Sequence, residues 1–211
     1  MARPQTDIEA GREQLLDIAE AMIEERGNAG FTVTELAARA GMSAPNLYRY
    51  FESREAVIEA VAGRWFAPKV AIMEEVVASD LPPRRKMYEF YAQRFLRIRA
   101  MWERDQVLFQ TYCALGEEHF ELVRGYVDLG DHYLGLIISE AMADGHFAGL
   151  EIDDAISLIN QMTSTYCNIT VMALIMPRLS EEKLARIVDA IFDGLSAADR
   201  GARAVTGLRA A

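Results

Sequence analysis

The stretch TVTELAARAGMSAPNLYRYFES, Thr32 to Ser53, carries three helix starts and one glycine turn, and that punctuation leaves room only for short helices. Thr32 and Glu35 form the pattern of a capping box: the hydroxyl accepts from the third helical amide and the carboxylate reaches back to the cap's own amide. The box opens a short helix through Ala40. Gly41 suits a left-handed turn, Met42 tucks inward, and Ser43 caps a second short helix. Pro45 falls in the first turn of that helix, where a missing amide hydrogen is harmless. Ser53 then caps a third helix, from Arg54 to about Ser79, with a kink expected at Pro68.

Elsewhere apolar residues recur at spacings of three and four without strand-like alternation, so the chain reads as all-α. Ile8, Leu15, Ile18, Ala19, Met22 and Ile23 share one face of a first helix that stops at the glycines of RGNAG. Further helices are predicted from the LPPRRK start, where prolines suit a first turn, and over about 105–115, 117–143, 152–176 and 181–197, the last capped by Ser180. These elements divide into a three-helix domain over 1–53 and a larger, aromatic-rich helical domain over 54–197, joined by the long helix from Arg54. Residues 198–211 carry small residues and scattered arginines and read as a disordered tail. With 51% hydrophobic residues in 211, the chain can bury a sizeable core.

Two short helices joined by a tight turn, the second exposing its first turns, meet the requirements of a helix-turn-helix. Leu36, Ala37, Ala40, Met42, Leu47 and Phe51 form the set that locks the pair. Ala44, Pro45, Asn46, Tyr48, Arg49 and Tyr50 are left facing outward. Asn46 can pair with adenine, Ala44 and Pro45 can meet a thymine methyl, and Arg49 can address guanine or phosphate. Tyr48 and Tyr50 suit phosphate contacts, and Thr34 and Arg54 can position the backbone from neighbouring helix starts. Ser43 joins this set at the cap. The net charge of −10 excludes indiscriminate, charge-driven binding to nucleic acid. Residues 1–60 hold six Lys and Arg against eleven Asp and Glu, yet 36–51 hold Arg39 and Arg49 with no acid. Any anion-binding surface must be small and well aimed.

FTVTELAARAGMSAPNLYRYFESREAVIEAV, Phe31 to Val61, resembles the tetracycline-repressor family of bacterial transcriptional regulators. The likeness lies in Gly41-x-Ser43, Leu47-Tyr48-x-Tyr50-Phe51 and Ser53-Arg54-Glu55, after an amphipathic first helix, and covers about the first third of the chain. It implies that Ala44–Tyr50 is a recognition helix, that Tyr48 and Tyr50 touch phosphate and groove, and that Arg54 takes the place of a phosphate-binding lysine. Ala44 stands where many members carry a basic residue.

The resemblance further implies a homodimer on double-stranded operator DNA and a small-molecule effector site in the larger, ligand-binding and dimerisation domain. Leu184, Ile187, Val188, Ile191, Phe192 and Leu195 form a broad stripe, and ISLINQMTSTYCNITVMALIM, residues 156–176, is apolar over much of its circumference; the two are expected to contribute two helices to a four-helix dimer interface. Met73, Tyr91, Phe95, Trp102, Phe109, Tyr112, Tyr133, Met162, Tyr166 and Met172 are the expected lining of a hydrophobic pocket. Arg94, Arg97 and Arg99 could meet an anionic ligand but read rather as a solvated face.

Other readings fit less well. Glu117-Glu118-His119, Asp131-His132 and His146 offer raw material for a metal or acid–base site, but no His-x-x-x-His pair, glycine-rich phosphate loop or serine elbow accompanies them. No metal, cofactor or catalytic role is expected. A helical module gripping protein through residues 41–61, or an activator of the same fold, remains the alternative function. Cys113 and Cys167 lie apart in apolar stretches and read as buried, reduced thiols. The N-terminal stretch lacks a signal-like apolar run and no segment reaches membrane-spanning length, so a cytoplasmic protein is expected.

Overall fold

The computed structural model describes residues 5–197, and in this range every regular element is a helix. They are α1 (Gln5–Arg26), α2 (Val33–Arg39), α3 (Ala44–Leu47), α4 (Arg54–Ala78), α5 (Pro83–Arg104), α6 (Gln106–Glu118), α7 (Phe120–Ala143), α8 (Ile152–Met162), α9 (Ile169–Ile175) and α10 (Glu181–Leu195). Single 3₁₀ turns at Ser164–Tyr166 and Met176–Arg178 flank α9. The expected tail lies outside the described residues.

The chain forms two compact units. The first runs to Lys69 and takes in Glu103–Tyr126; the second holds Val70–Trp102 and the chain from Val127. The first half of α4 and all of α6 fall in the first unit with the three N-terminal helices. Leu15, Ala19 and Ile23 of α1, Leu36 of α2, Leu47 of α3, Val57 and Val61 of α4 and Leu115 of α6 share one core. Emptying a site such as Leu47 would cost about 2–5 kcal/mol.

Local chemistry sets the N-terminal helices. The Thr32 hydroxyl accepts from Glu35 N at 3.2 Å while Glu35 Oε2 accepts from Thr32 N at 2.7 Å, so the capping box is closed. Gly41 adopts φ +68, the left-handed region that a side chain would strain. Met42 N donates to Ala37 O at 2.9 Å and Gly41 N to Ala38 O at 3.1 Å, the paired bonds of a Schellman turn. Met42 packs on the core, as a residue at that position should. Ser53 Oγ accepts from Ala56 N at 3.0 Å and so starts α4, which stays one helix through Pro68.

In the second unit α5 buries Met87, Phe90, Tyr91 and Phe95, α7 buries Leu134, Ile137 and Ile138, and α10 buries Leu184, Val188, Ile191, Phe192 and Leu195. Lys86 is buried as well, its Nζ donating to both Glu140 oxygens at 2.9 and 2.7 Å and to Val77 O at 2.9 Å.

One helix expected over 152–176 is instead two with a break. The Thr163 hydroxyl donates to Ile159 O at 2.7 Å, Tyr166 OH donates to Ser180 O at 2.9 Å, and Asn168 Oδ1 accepts from Val171 N at 3.0 Å to cap a new helix. Short polar side chains here bond locally and compete with the helical ladder. The cysteines also differ from expectation: Cys113 of α6 is half-buried, and Cys167 is exposed in the break between α8 and α9.

Candidate nucleic-acid interface

α3 is shorter than the expected Ala44–Tyr50 helix. Tyr48 N still bonds Ala44 O at 3.3 Å, but Arg49 N and Tyr50 N turn to Asn46 O and Leu47 O at 3.2 and 2.8 Å. The winding tightens over Tyr48–Tyr50 into a turn. Ser43 holds the cap position with extended backbone, φ −82 and ψ 150, yet its hydroxyl makes no cap bond. It is exposed and open to an external acceptor.

Thr34, Ser43, Pro45, Tyr48 and Arg49 are exposed, Tyr48 at 53%. Ala44 and Asn46 are half-buried, and Ala44 packs on the core. The Asn46 carboxamide nitrogen lies 3.9 Å from Met42 Sδ, a weak acceptor that a base edge would outcompete.

The cations divide sharply. Arg39 is paired with Glu25 of α1, whose carboxyl is held below the usual range by that hydrogen bond. Arg54 donates Nε to Phe31 O at 2.8 Å and a second nitrogen to Ala29 O, so it clasps the loop before α2. Of these three, Arg49 alone has no internal partner among the described residues, and it is the group best placed to meet phosphate. The acid-free stretch from 36 to 51 thus presents one available positive charge rather than two, because α1 supplies Glu25 from outside it.

Tyr50 is not a freely presented phenol. It is half-buried against α1, where a Cβ on Gly11 would come 2.5 Å from its ring. Gly11 therefore makes room for Tyr50. Arg12, one residue on, donates to Tyr50 O and lies over the Phe51 ring at 4.2 Å from the centroid. Gly11 and Arg12 position the end of α3, and sequence reasoning missed both. A glycine beside an arginine in the middle of the acidic first helix was the available signal.

At the start of α2, Glu35 is held at about 2 by hydrogen bonds from Arg26 first and Thr32 second. The box is thereby an ionic as well as a helical start.

The expected pocket residues are not one lining. Tyr91, Phe95 and Tyr166 fill the core of the second unit, Phe95 and Tyr166 edge to face at 5.2 Å. Tyr91 OH donates to Asn160 at 3.4 Å, Tyr133 OH donates to Glu74 at 2.9 Å, and Met73 and Met172 are fully buried. Trp102 is half-buried and Met162 exposed. Arg94, read as solvated, is buried, with Nε on Phe90 O at 2.7 Å and its guanidinium 3.9 Å from the Phe90 ring centroid. Phe109 and Tyr112 belong to the first unit. There Tyr112 joins Ala62, Trp65, Phe66, Leu115 and His119 around a small apolar recess that the pattern of aromatics did not disclose.

The stripe expected at a dimer interface is also placed differently. Leu184, Val188, Ile191, Phe192 and Leu195 are buried within the protomer and Ile187 is half-buried, because the second unit needs this face for its own core. Exposed apolar side chains occur on several helices: Val107 of α6, Phe120 and Val127 of α7, and, within the 156–176 stretch, Leu158 and Met162 of α8 and Val171 and Leu174 of α9, Leu174 at 80%. Among the described residues no group of three His, Cys, Asp or Glu could hold a metal, and no helix is long and apolar enough to cross a membrane.

Comparison with known proteins agrees with this geometry. The family model described as bacterial regulatory proteins, tetR family, matches residues 15–61, and that described as tetracyclin repressor-like, C-terminal domain, matches 83–188. The chain is 33% identical over 88 residues to the HTH-type transcriptional repressor KstR2 of Rhodococcus jostii, covering 40% of this chain and 43% of that protein. It is 31% identical over 109 residues to the repressor BepR of Brucella suis, covering 52% of each. The chain thus spans about half the length, or less, of these curated relatives. SmeT, the repressor of the Stenotrophomonas maltophilia multidrug efflux pump SmeDEF, shares the fold with a TM-score of 0.62 at 20% identity over 87% of each chain.

Proposed function

The chain belongs to the tetracycline-repressor family of DNA-binding transcriptional regulators, and on that premise we propose that it is a homodimeric repressor released from a palindromic operator by a small hydrophobic molecule. As a regulator of this family it is not an enzyme. The observation that carries the reading is the α2–turn–α3 unit, in which a Schellman turn at Gly41 presents Pro45, Asn46, Tyr48 and Arg49 while Leu47 anchors the helix from below. Each subunit offers this edge to one major-groove half-site, and a dimer places the two edges about 35 Å apart. Asn46 and Arg49 read bases or the adjoining backbone; Tyr48, Thr34 and Ser43 fix the register on phosphates. Repression is favoured because the relatives KstR2 and BepR are both described as repressors.

For the second copy, Leu158 and Met162 lie four apart on α8 and Val171 and Leu174 three apart on α9. Each pair occupies one side of its helix, the spacing of a helical interface. An effector acts only by binding the non-operator form more tightly than the operator-bound form.

The test is to capture sheared genomic DNA of the source organism on the purified protein and sequence what is retained. An enriched short palindrome is the expected result. Retention without sequence preference, or no retention after refolding to strip any carried ligand, would rule the reading out in favour of a protein-binding role for residues 41–61.

A further inference from the structure

We infer that Gly11 and Arg12 of α1 are positioning residues for DNA recognition: they fix the turn that carries Tyr48 and Arg49, and Tyr50 serves them as a buttress rather than as a phosphate ligand. The inference rests on the DNA-binding edge proposed above.

Tyr48 and Arg49 are two exposed residues between two fixed points. On one side Leu47 is fully buried in the core of the first unit. On the other, Tyr50 and Phe51 are held from α1. A helix of four residues needs such help, because so short a segment is unstable in isolation. Arg12 Nη1 donates to the Tyr50 carbonyl, so α1 satisfies from outside one of the carbonyls left open where the winding ends. The same guanidinium lies over the Phe51 ring, 4.2 Å from its centroid, and Phe51 is buried in the same core. One planar group thus meets a carbonyl with its edge and a ring with its face, a pairing that an ammonium does not reproduce. Glu13, the carboxylate beside Arg12 in sequence, is paired with Arg64 of α4, which leaves Arg12 to α3.

Gly11 supplies the steric half. A Cβ at this position would lie 2.5 Å from Tyr50 Cε1, 3.0 Å from Cζ and 3.1 Å from the phenolic oxygen. The ring therefore lies along the bare backbone of α1, with its hydroxyl end as close to the helix as its edge. A glycine inside a helix weakens it relative to alanine, and this contact explains why one stands there. Of the two phenols in the turn, Tyr48 is 53% exposed and Tyr50 is the one laid on α1. Where Tyr48 and Arg49 sit is thereby set by a helix that carries neither of them.

The test is operator affinity, measured by fluorescence anisotropy on a labelled duplex carrying the palindrome recovered by genomic capture, with thermal melts checking that each variant is folded at the assay temperature. Arg12→Gln is expected to weaken binding by about tenfold, the value of one directed contact. In a background carrying Tyr48→Phe and Arg49→Ala the same change should cost less than about twofold, because Arg12 acts through those two side chains. A similar loss in both backgrounds would mean that Arg12 touches DNA itself or acts on the fold as a whole, and would overturn the inference. Arg12→Lys, which keeps the charge, is expected to remain at least about threefold weaker than the parent; full recovery would overturn positioning in favour of charge alone. Gly11→Ala removes no contact and favours the helix, yet is expected to weaken binding about threefold or more by displacing Tyr50. Parent-like binding by this variant would overturn the buttress role, and its measurement decides the matter if Arg12→Gln does not fold. If the parent binds no sequence, the proposed function falls and this inference with it; if the parent binds and Arg12→Gln binds as well, the inference alone falls.

Discussion

Asn46 and Tyr48 are two positions apart, yet the structure gives them different freedom, and the roles proposed for them differ accordingly. Asn46 is half-buried with only a thioether beside its amide, whereas Tyr48 is largely exposed. Asn46→Ala is expected to lower affinity by about 1–3 kcal/mol for sequences with the preferred base and to relax choice at one position per half-site. Tyr48→Phe, which removes only the proposed phosphate bond, should weaken all sequences alike. Competition binding against a panel of duplexes separates the two. Glu35 gives a prediction in pH. Its folded value, about 2, lies below the ordinary 4.5, so its contribution to stability is fully present above pH 4.5 and is lost as pH falls toward 2. Glu35→Gln should therefore lower Tm at pH 7, and its deficit relative to the parent should shrink steadily between pH 4.5 and 2.

At the scale of elements, Arg54 joins the start of α4 to the loop that enters α2. Its two carbonyl bonds make it a structural clasp as much as a candidate phosphate contact. Arg54→Ala should destabilise the protein by about 2 kcal/mol or more, since charged hydrogen bonds are each worth about 1.5–3. Arg54→Lys should recover only part, because one ammonium cannot span both acceptors as a planar guanidinium does. Urea unfolding of the variants measures this. The caps at Thr32, Ser53 and Ser180 and the turn at Gly41 were legible in the sequence because each is a local bond between residues a few positions apart. The break at Thr163–Asn168 was not, because an apolar pattern does not say when a threonine hydroxyl will turn back on its own helix. Nor were the Arg39–Glu25 pair or the Gly11–Tyr50 contact, which depend on how α1 packs across α2 and α3. The motif was readable; its supports were not.

For the whole molecule, the stripe on α10 shows why amphipathicity alone does not locate an interface. The same apolar face can serve a protomer's core or a partner, and here Leu184, Val188 and Phe192 are enclosed within one chain. Among the apolar side chains left outside, Leu174 of α9 is the most exposed. Leu174→Glu is expected to shift the protein from dimer to monomer in sedimentation while leaving Tm of the monomer fold nearly unchanged, because Leu174 is 80% exposed. Operator affinity should fall steeply with it, since a monomer reaches one half-site. The acidic net charge of −10 leaves affinity to a few directed contacts, so binding should still weaken as salt rises, with a slope set by those few phosphates.

The central claim, that α3 reads base edges, is tested most directly by selecting from a random duplex library with the parent protein and with Asn46→Ala in parallel. An inverted repeat from the parent, with preference lost from the variant at one symmetric pair of positions and kept elsewhere, is the predicted result. An identical consensus from both proteins, or none from the parent, would contradict it.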